Sequence, residues 1–400
     1  MLDFSILSVS HRLQNFARIS LFCAFFGFFT VAQATEESHN SANSGATTAV
    51  NASDDEHAAG ATHQDAAVSH GDAHAADAYG TEAAHGEKKF EPGKMIMDHI
   101  SDAHDWHLWG EGHGSVSIPL PVIIYSKSKG VEVFSSAKFN HGHDAYNGYR
   151  LDEENHVIAE DGSTDFYDLS ITKNVLAMFI GVITLFIIAI GMANSYKKRS
   201  GKAPKGFHNL VEPLILFIRD DIAKPSIGHK ANKFMPLLLS IFFFIFVLNL
   251  YGLIPIFPGG ANVTGNIAVT MVLAVVVFLT VNLNANKYYW KHIFVPDVPV
   301  WMYPIIIPIE ILGVILKPFV LMLRLFANIT AGHLIILGFF SLIFIFGAIK
   351  EEIGFAVTPL SVGFTVFMSM LELLVAFLQA FVFTLLTSIY IGMAVEDHHH

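Results

Sequence analysis

Residues 305–349 read IIIPIEILGVILKPFVLMLRLFANITAGHLIILGFFSLIFIFGAI, an apolar run from Ile305 to Ile349 broken by a handful of polar side chains. A bilayer needs about 20 apolar residues to be crossed. Written as one helix at ~1.5 Å per residue, this run is ~67 Å long, against a hydrocarbon core of ~30 Å. The run is therefore a membrane segment that cannot stand upright. It must lie strongly inclined, or bend, because modest tilting does not absorb such a mismatch.

Four more apolar runs lie around it: Val175–Ala193, Phe234–Ile254, Asn266–Leu283 and Pro359–Ala394. The pattern predicts an all-α integral membrane protein with five membrane segments. The last two form a long, strongly inclined helical hairpin turning at Lys350-Glu351-Glu352. The chain is 52% hydrophobic and 15% charged, where soluble domains carry about a quarter charged residues. Lys197, Lys198, Arg199, Lys202 and Lys205 follow the first run, and Lys287, Lys291 and His292 follow the third. The positive-inside rule puts both clusters in the cytoplasm, so the N-terminus is expected outside and the C-terminus inside. Tyr288, Tyr289, Trp290, Trp301 and Tyr303 form an aromatic belt at the inner interface. Residues 206–232 read as a cytoplasmic loop with an amphipathic piece over Val211–Asp221.

Upstream of residue 171 the chain is polar. Residues 1–34 read as a signal peptide: Arg12 and Arg18, an apolar stretch Ile19–Val31, then Ala32-Gln33-Ala34. An uncleaved anchor is the alternative, and in both readings the segment after Ala34 is exported. Residues 35–95, rich in Ala, His and Asp, have too few apolar groups to offset their ordering entropy and are expected to be disordered. Their histidines (His39, His57, His63, His70, His74, His85) are irregularly spaced, so no metal site is assigned and a solvated tail is the plainer reading. Residues 96–170 form a small external region, expected to be α+β or disordered, ahead of the membrane domain 171–400. It carries a short helix over Asp98–Leu108 bearing His99, His104 and His107, a hairpin Pro121–Ser135 around Ser128-Lys129-Gly130, and a second hairpin Tyr149–Ile158 turning at Glu153–Asn155. The net charge of −11 offers no basic stripe for nucleic acid. Cys23 is the only cysteine.

Ionisable groups inside spans are costly and mark function by default. They concentrate in the last two segments: Glu310, Lys317, Arg324, His333 and Glu372, with the amides Asn328 and Gln379. At about 100° per residue, a seven-residue step returns to within ~20° of one face. Glu310, Lys317 and Arg324 are spaced by seven and Asn328 follows by four, so all four share a stripe. His333 falls on the opposite face, and Glu372 and Gln379 share a face of the last segment. Arg324 is a permanent cation that cannot relay protons, whereas His333 and Glu372 can titrate. Glu310 and Lys317 can instead snorkel at an interface, and Asn328 and Gln379 can serve as interhelical hydrogen-bond groups.

At these residues the chain resembles subunit a of rotary F-type ATP synthases. The resemblance rests on Leu316-Lys317-Pro318, Leu323-Arg324-Leu325-Phe326-Ala327-Asn328, Ala331-Gly332-His333, Leu378-Gln379-Ala380-Phe381 and Tyr390, and on Asn249-Leu250-Tyr251-Gly252-Leu253-Ile254-Pro255. It covers about residues 205–395. It implies a bacterial inner-membrane stator subunit that provides two proton half-channels. Arg324 would face the carboxylates of a rotating c-ring. Glu310, Asn328, His333, Glu372 and Gln379 would line the proton path, with Lys317 and Asn249 in support. Many relatives carry Glu where this chain has His333 and His where it has Glu372, so the pair is exchanged here. The partners implied are c-ring subunits, b-type peripheral-stalk subunits and the lipid bilayer. No cofactor or metal is implied, and no catalytic residue. Consistently, no phosphate-binding loop of the GxxxxGK[ST] type occurs. Proton or sodium as coupling ion is left open by these residues. A metal-ion transporter would be expected to spread ligands over several spans, and a scaffold would not need a buried arginine.

Overall fold

The computed structural model describes residues 92–109, 116–142, 144–152, 155–198, 206, 208–254 and 259–396. The expected signal peptide and nearly all of the 35–95 segment lie outside the described residues. The first helix, α1, spans Pro92–Ile100, so residues 92–95 are helical and do not belong to the segment expected to be disordered.

The helix expected over Asp98–Leu108 is corrected. It ends at Ile100, and His104 and His107 lie beyond it, His107 in the strand β1 (Asp105–Trp109). The reason is Asp102. Its carboxylate accepts the Ala103 N–H (3.0 Å), the Asn174 N–H (3.0 Å) and the Thr172 hydroxyl (2.7 Å), which turns the chain away from helix. β1 pairs antiparallel with β2 (Val116–Pro119). The hairpin expected over Pro121–Ser135 is present, as β3 (Pro121–Ser126) and β4 (Gly130–Ser135) in register Pro121↔Ser135. The second is β5 (Tyr149–Leu151) with β6 (Val157–Ala159). β7 (Phe166–Asp168) joins β3 to complete the sheet order β4-β3-β7. Alternation puts Val122 and Ile124 inward, onto Phe139, Tyr149 and Val157.

The rest is helical. α2 spans Lys173–Lys198. α3 (His208–Phe217), a π-helical turn (Ile218–Ala223) and α4 (Lys224–Ile227) lead into α5 (Ala231–Leu253). α6 (Ile267–Leu283) is followed, at a 100° bend, by α7 (Lys287–Phe294). α8 (Tyr303–Ile349) and α9 (Glu351–Val395) complete the chain. Four described helices are long and apolar enough to cross a membrane, or five if the bent pair counts as one. The expected last segment gains a turn and more at its start. α9 begins at Glu351 rather than Pro359, and the hairpin connection shrinks to Lys350. Pro359 is tolerated inside a membrane helix, since neighbouring groups compensate its missing hydrogen bond.

The α8–α9 hairpin has 47 and 45 residues in its two arms, each roughly 70 Å long. The arms approach closely near the connection, where Gly354 backs onto Gly347: a Cβ on Gly354 would stand 2.7 Å from the Gly347 Cα. α9 packs along α5, and its last turns pack on α4, where a Cβ at Gly392 would overlap the Ser226 carbonyl oxygen. The Val395 carbonyl accepts from Lys230 Nζ (2.9 Å) and Asn286 Nδ2 (3.0 Å). A cation at a helix C-terminus also complements its dipole. Gly392→Ala should therefore push α9 off the Ser226 backbone, at a cost of about 1–3 kcal/mol. A lowered melting temperature of the detergent-solubilised complex checks this; an unchanged one refutes the close approach.

Candidate functional site

The polar groups of α8 divide between two environments. Leu321, Leu325 and Ile329 are buried at i, i+4 and i+8, the face that packs on neighbouring helices. Arg324 and Asn328 are exposed, off that face. Glu310 and Lys317 are half-buried. Lys317 Nζ lies 5.7 Å from the centre of the Tyr390 ring of α9, at a crevice also lined by Asn282 and Tyr289. The stripe deduced from heptad spacing is thus open at Arg324 and Asn328 and partly closed over by α6, α7 and α9 lower down.

On the other side of α8 is the second group. His333 Nδ1 stands 2.9 Å from Glu372 Oε1, so the two residues that helical geometry assigned to facing surfaces do meet. Glu372 is 5% exposed and Gln379 is 6% exposed, both on the buried face of α9 with Ala376, Ala380 and Phe383. An isolated carboxylate in such surroundings is expensive, and His333 is the one ionisable group in contact with it among the described residues. Both carboxyl oxygens are inaccessible and without an aligned hydrogen bond. The carboxyl thus keeps unused lone pairs.

Two glycines make the room. A Cβ on Gly332 would lie 2.8 Å from Glu372 Oε1 and 3.1 Å from its Cδ. A Cβ on Gly252, in the last turn of α5, would lie 3.4 Å from His333 Nε2. His333 is therefore bracketed by the Glu372 carboxyl on one ring nitrogen and the α5 backbone at the other.

Asn249, three residues before Gly252, fixes that backbone. Its Nδ2 donates to the Ala376 carbonyl of α9 (3.2 Å), and its Oδ1 accepts from the Thr264 hydroxyl (2.6 Å). One buried amide thereby ties α5, α9 and the α5–α6 connection together around the pair. Thr330 of α8 donates to the Gly265 carbonyl (3.4 Å) of the same connection. Thr264, Gly252 and Gly332 were missed as site residues. The glycines left a signal, as small residues flanking polar positions in apolar helices, but Thr264 left none.

Comparison with known proteins shows the same division. A family model described as ATP synthase A chain matches residues 175–392. A second, described only as a domain of unknown function (DUF8433), matches residues 95–176. An ATP synthase subunit a of Chloroherpeton thalassium is 45% identical over 239 residues, which is 58% of this chain and 69% of the relative. One of Chlorobium phaeobacteroides strain BS1 is 36% identical over 351 residues, 86% of this chain and 88% of the relative. That span is longer than the membrane region, so the likeness extends into the N-terminal part. One of an Anaeromyxobacter species is 34% identical over 336 residues, covering 81% and 75%. With the first model spanning more than half of its length, the chain belongs to the ATP synthase A chain family.

Proposed function

We infer that Arg324 is the fixed charge separating two proton half-channels, and that the His333–Glu372 pair is the titrating station of one of them. Membership of the family makes the chain the non-catalytic, proton-conducting stator subunit of an ATP synthase. The observation that carries the residue assignment is the split on α8. A guanidinium that cannot give up its proton is exposed on one side, and a buried acid–imidazole pair lies at 2.9 Å on the other.

The expected partners are a ring of c subunits, whose carboxylates pass Arg324, and b-type stalk subunits. A proton reaches the external half-channel at the His333–Glu372 pair. The imidazole takes it on one nitrogen and releases it from the other, and the carboxyl accepts it on its free oxygen. Asn328 and Gln379 supply hydrogen-bonding groups along the path to the ring carboxylate. Once neutral, that carboxyl can turn into lipid, where its charged form would cost several kcal/mol. After rotation it releases the proton through the second half-channel, at whose cytoplasmic end Glu310 and Lys317 are placed. Arg324 attracts the ionised carboxylate and repels a proton crossing straight between channels. The membrane potential contributes ~2.3 kcal/mol per charge per 100 mV. The lysine and arginine clusters after the first and third apolar runs support an external N-terminus, a cytoplasmic C-terminus and five crossings, in the bacterial inner membrane.

Arg324→Ala should abolish proton-driven ATP synthesis in inverted vesicles while the subunit stays inserted; synthesis retained at the wild-type rate would sink the assignment. Removing either His333 or Glu372 by alanine substitution should slow synthesis by about tenfold or more. The double exchange His333→Glu with Glu372→His should restore most of that loss, since an acid facing an imidazole relays a proton in either order. If the exchanged enzyme is as slow as the single alanine variants, the pair does not act as a relay. Gly332→Ala should impair synthesis through the Glu372 carboxyl it would displace, with unchanged subunit abundance in the membrane; full activity would show that the carboxyl's position is immaterial.

A further inference from the structure

The N-terminal α+β region, residues 92–172, carries none of the residues assigned to the proton path, yet it is joined to the membrane helices without a free linker. Asp102 holds the first turn of α2 through the Thr172 hydroxyl and the Asn174 N–H. The Lys173 N–H donates to the Ala103 carbonyl (2.9 Å), and Lys173 Nζ to the His99 carbonyl at the end of α1 (3.3 Å). Leu169 and Ile171 run on along β3, donating to the Ile123 and Pro121 carbonyls. Trp106 of β1 belongs to the same apolar core as α2 and α5. Strand, connection and helix are therefore one continuous hydrogen-bonded body.

That body also touches the hairpin. α1 packs against α8. α8 needs such a contact. It is supported by α6 up to the level of Thr330, which bonds the connection preceding α6, and it then continues to Ile349. Beyond Ile329 its only buried side chain is Ser341, and Ser361 of α9 donates to the Phe339 carbonyl there. This outer stretch lies on the side where α2 begins, because Gly181 of α2 meets Leu248 near the end of α5, and Gly252 at that end meets His333.

We propose that residues 92–172, the part matched by a family of unknown function, act as a brace that fixes the outer half of the α8–α9 hairpin to the start of α2. A ring turning against the hairpin loads it sideways, and a two-helix projection held at one end bends under such a load. The brace supplies the second point of support. This role goes beyond the proton path but rests on the reading that a ring turns against the hairpin; hydrogen exchange reads the brace without reading proton-driven synthesis.

Within the brace, a buried His104–Asp168 pair ties the turn after α1 to β7. His104 is 4% exposed; its Nδ1 lies 3.0 Å from the Asn155 carbonyl and its Nε2 3.4 Å from Asp168 Oδ2. Asp168 also accepts the Ser170 N–H (2.9 Å) and hydroxyl. Asp102 after α1 is the other charged group that acts on His104, and Asp102 and Asp105 act in turn on Lys173 at the start of α2. Burial alone would lower the His104 pKa, but the Asp168 carboxylate, Asp102 and the Asn155 carbonyl reverse the sign and raise it from 6.5. Burial alone would raise Asp168, but His104 and Ser170 hold it below 3.8. The pair's contribution is therefore fully present between 3.8 and 6.5 and is lost as pH rises through the raised His104 value.

Hydrogen exchange on the complete ATP synthase in liposomes tests the brace. Asp102→Ala should raise exchange several-fold in residues 166–176 and, with them, in residues 334–360 of the hairpin. Asp102→Asn, which keeps an acceptor oxygen, should restore protection in both. Loosening confined to residues 92–176, with the hairpin unchanged, overturns the proposal. If Asp102→Ala fails to assemble, the wild-type complex decides. Raising the pH on the face that bears residues 92–172 from below 6.5 through the raised His104 value discharges His104. With exchange corrected for its intrinsic pH dependence, residues 166–172 and 334–360 should then loosen together, and Asp168→Asn should flatten both profiles. A hairpin that stays protected while residues 166–172 loosen refutes it.

Discussion

Glu372 sits with its carboxyl buried between two helices that are apolar almost throughout, and His333 is 2.9 Å away. Charge out of water is costly unless it is paired. Much of the surrounding architecture is arranged to accommodate this one contact. Gly332 leaves room for the carboxyl, since a Cβ there would stand 2.8 Å from Glu372 Oε1 and displace it. Gly252 brings the α5 backbone up to the other side of the imidazole. Asn249 then holds α5 against α9 through a backbone carbonyl, so the gap cannot open or close freely. A pair that exchanges protons must be held at hydrogen-bonding distance and yet retain unsatisfied lone pairs, and the Glu372 oxygens meet both requirements.

The same cost explains why Arg324 faces outward. Its flanking positions Leu321, Leu325 and Ile329 take the packing face, leaving Arg324 exposed. A carboxylate buried within this chain would have locked the arginine in a salt bridge. In place of that, the acidic residue nearest the centre of the hairpin is committed to a histidine on the opposite side of α8. The guanidinium and the acid–imidazole pair are thereby kept apart by the thickness of one helix.

Much of this was legible in the sequence because helical periodicity is rigid. Heptad spacing put Arg324, Lys317 and Glu310 on one stripe, and the nine-residue step placed His333 opposite. In the structure His333 meets Glu372, and Glu372 and Gln379 are buried together on one face of α9. Helix ends were less legible. Pro359 looked like a start, but in a membrane helix a proline need not terminate, and Gly354 and Gly347 set the hairpin tip instead. Residues 98–108 had helical spacing, but Asp102 found better partners seventy residues away, in Thr172 and Asn174. Long-range hydrogen bonds of this kind leave no periodic trace. Thr264 was invisible for the same reason: its role depends on Asn249, in a different helix.

The length of the hairpin ties these observations together. An arm of 47 residues is far longer than the bilayer requires, and past Ile329 α8 packs on α9 but fully buries only Ser341. Length with so little burial is explained if the hairpin presents a surface to something outside the chain, across which a ring carboxylate can travel. A surface of that kind must be stiff as well as extended. Where α9 ends, stiffness comes from α4, Lys230 and Asn286, which grip its close. Toward the tip the proposed brace supplies it. Among the described residues, α1 is placed to provide it, through a region whose fold is anchored to α2 by Asp102.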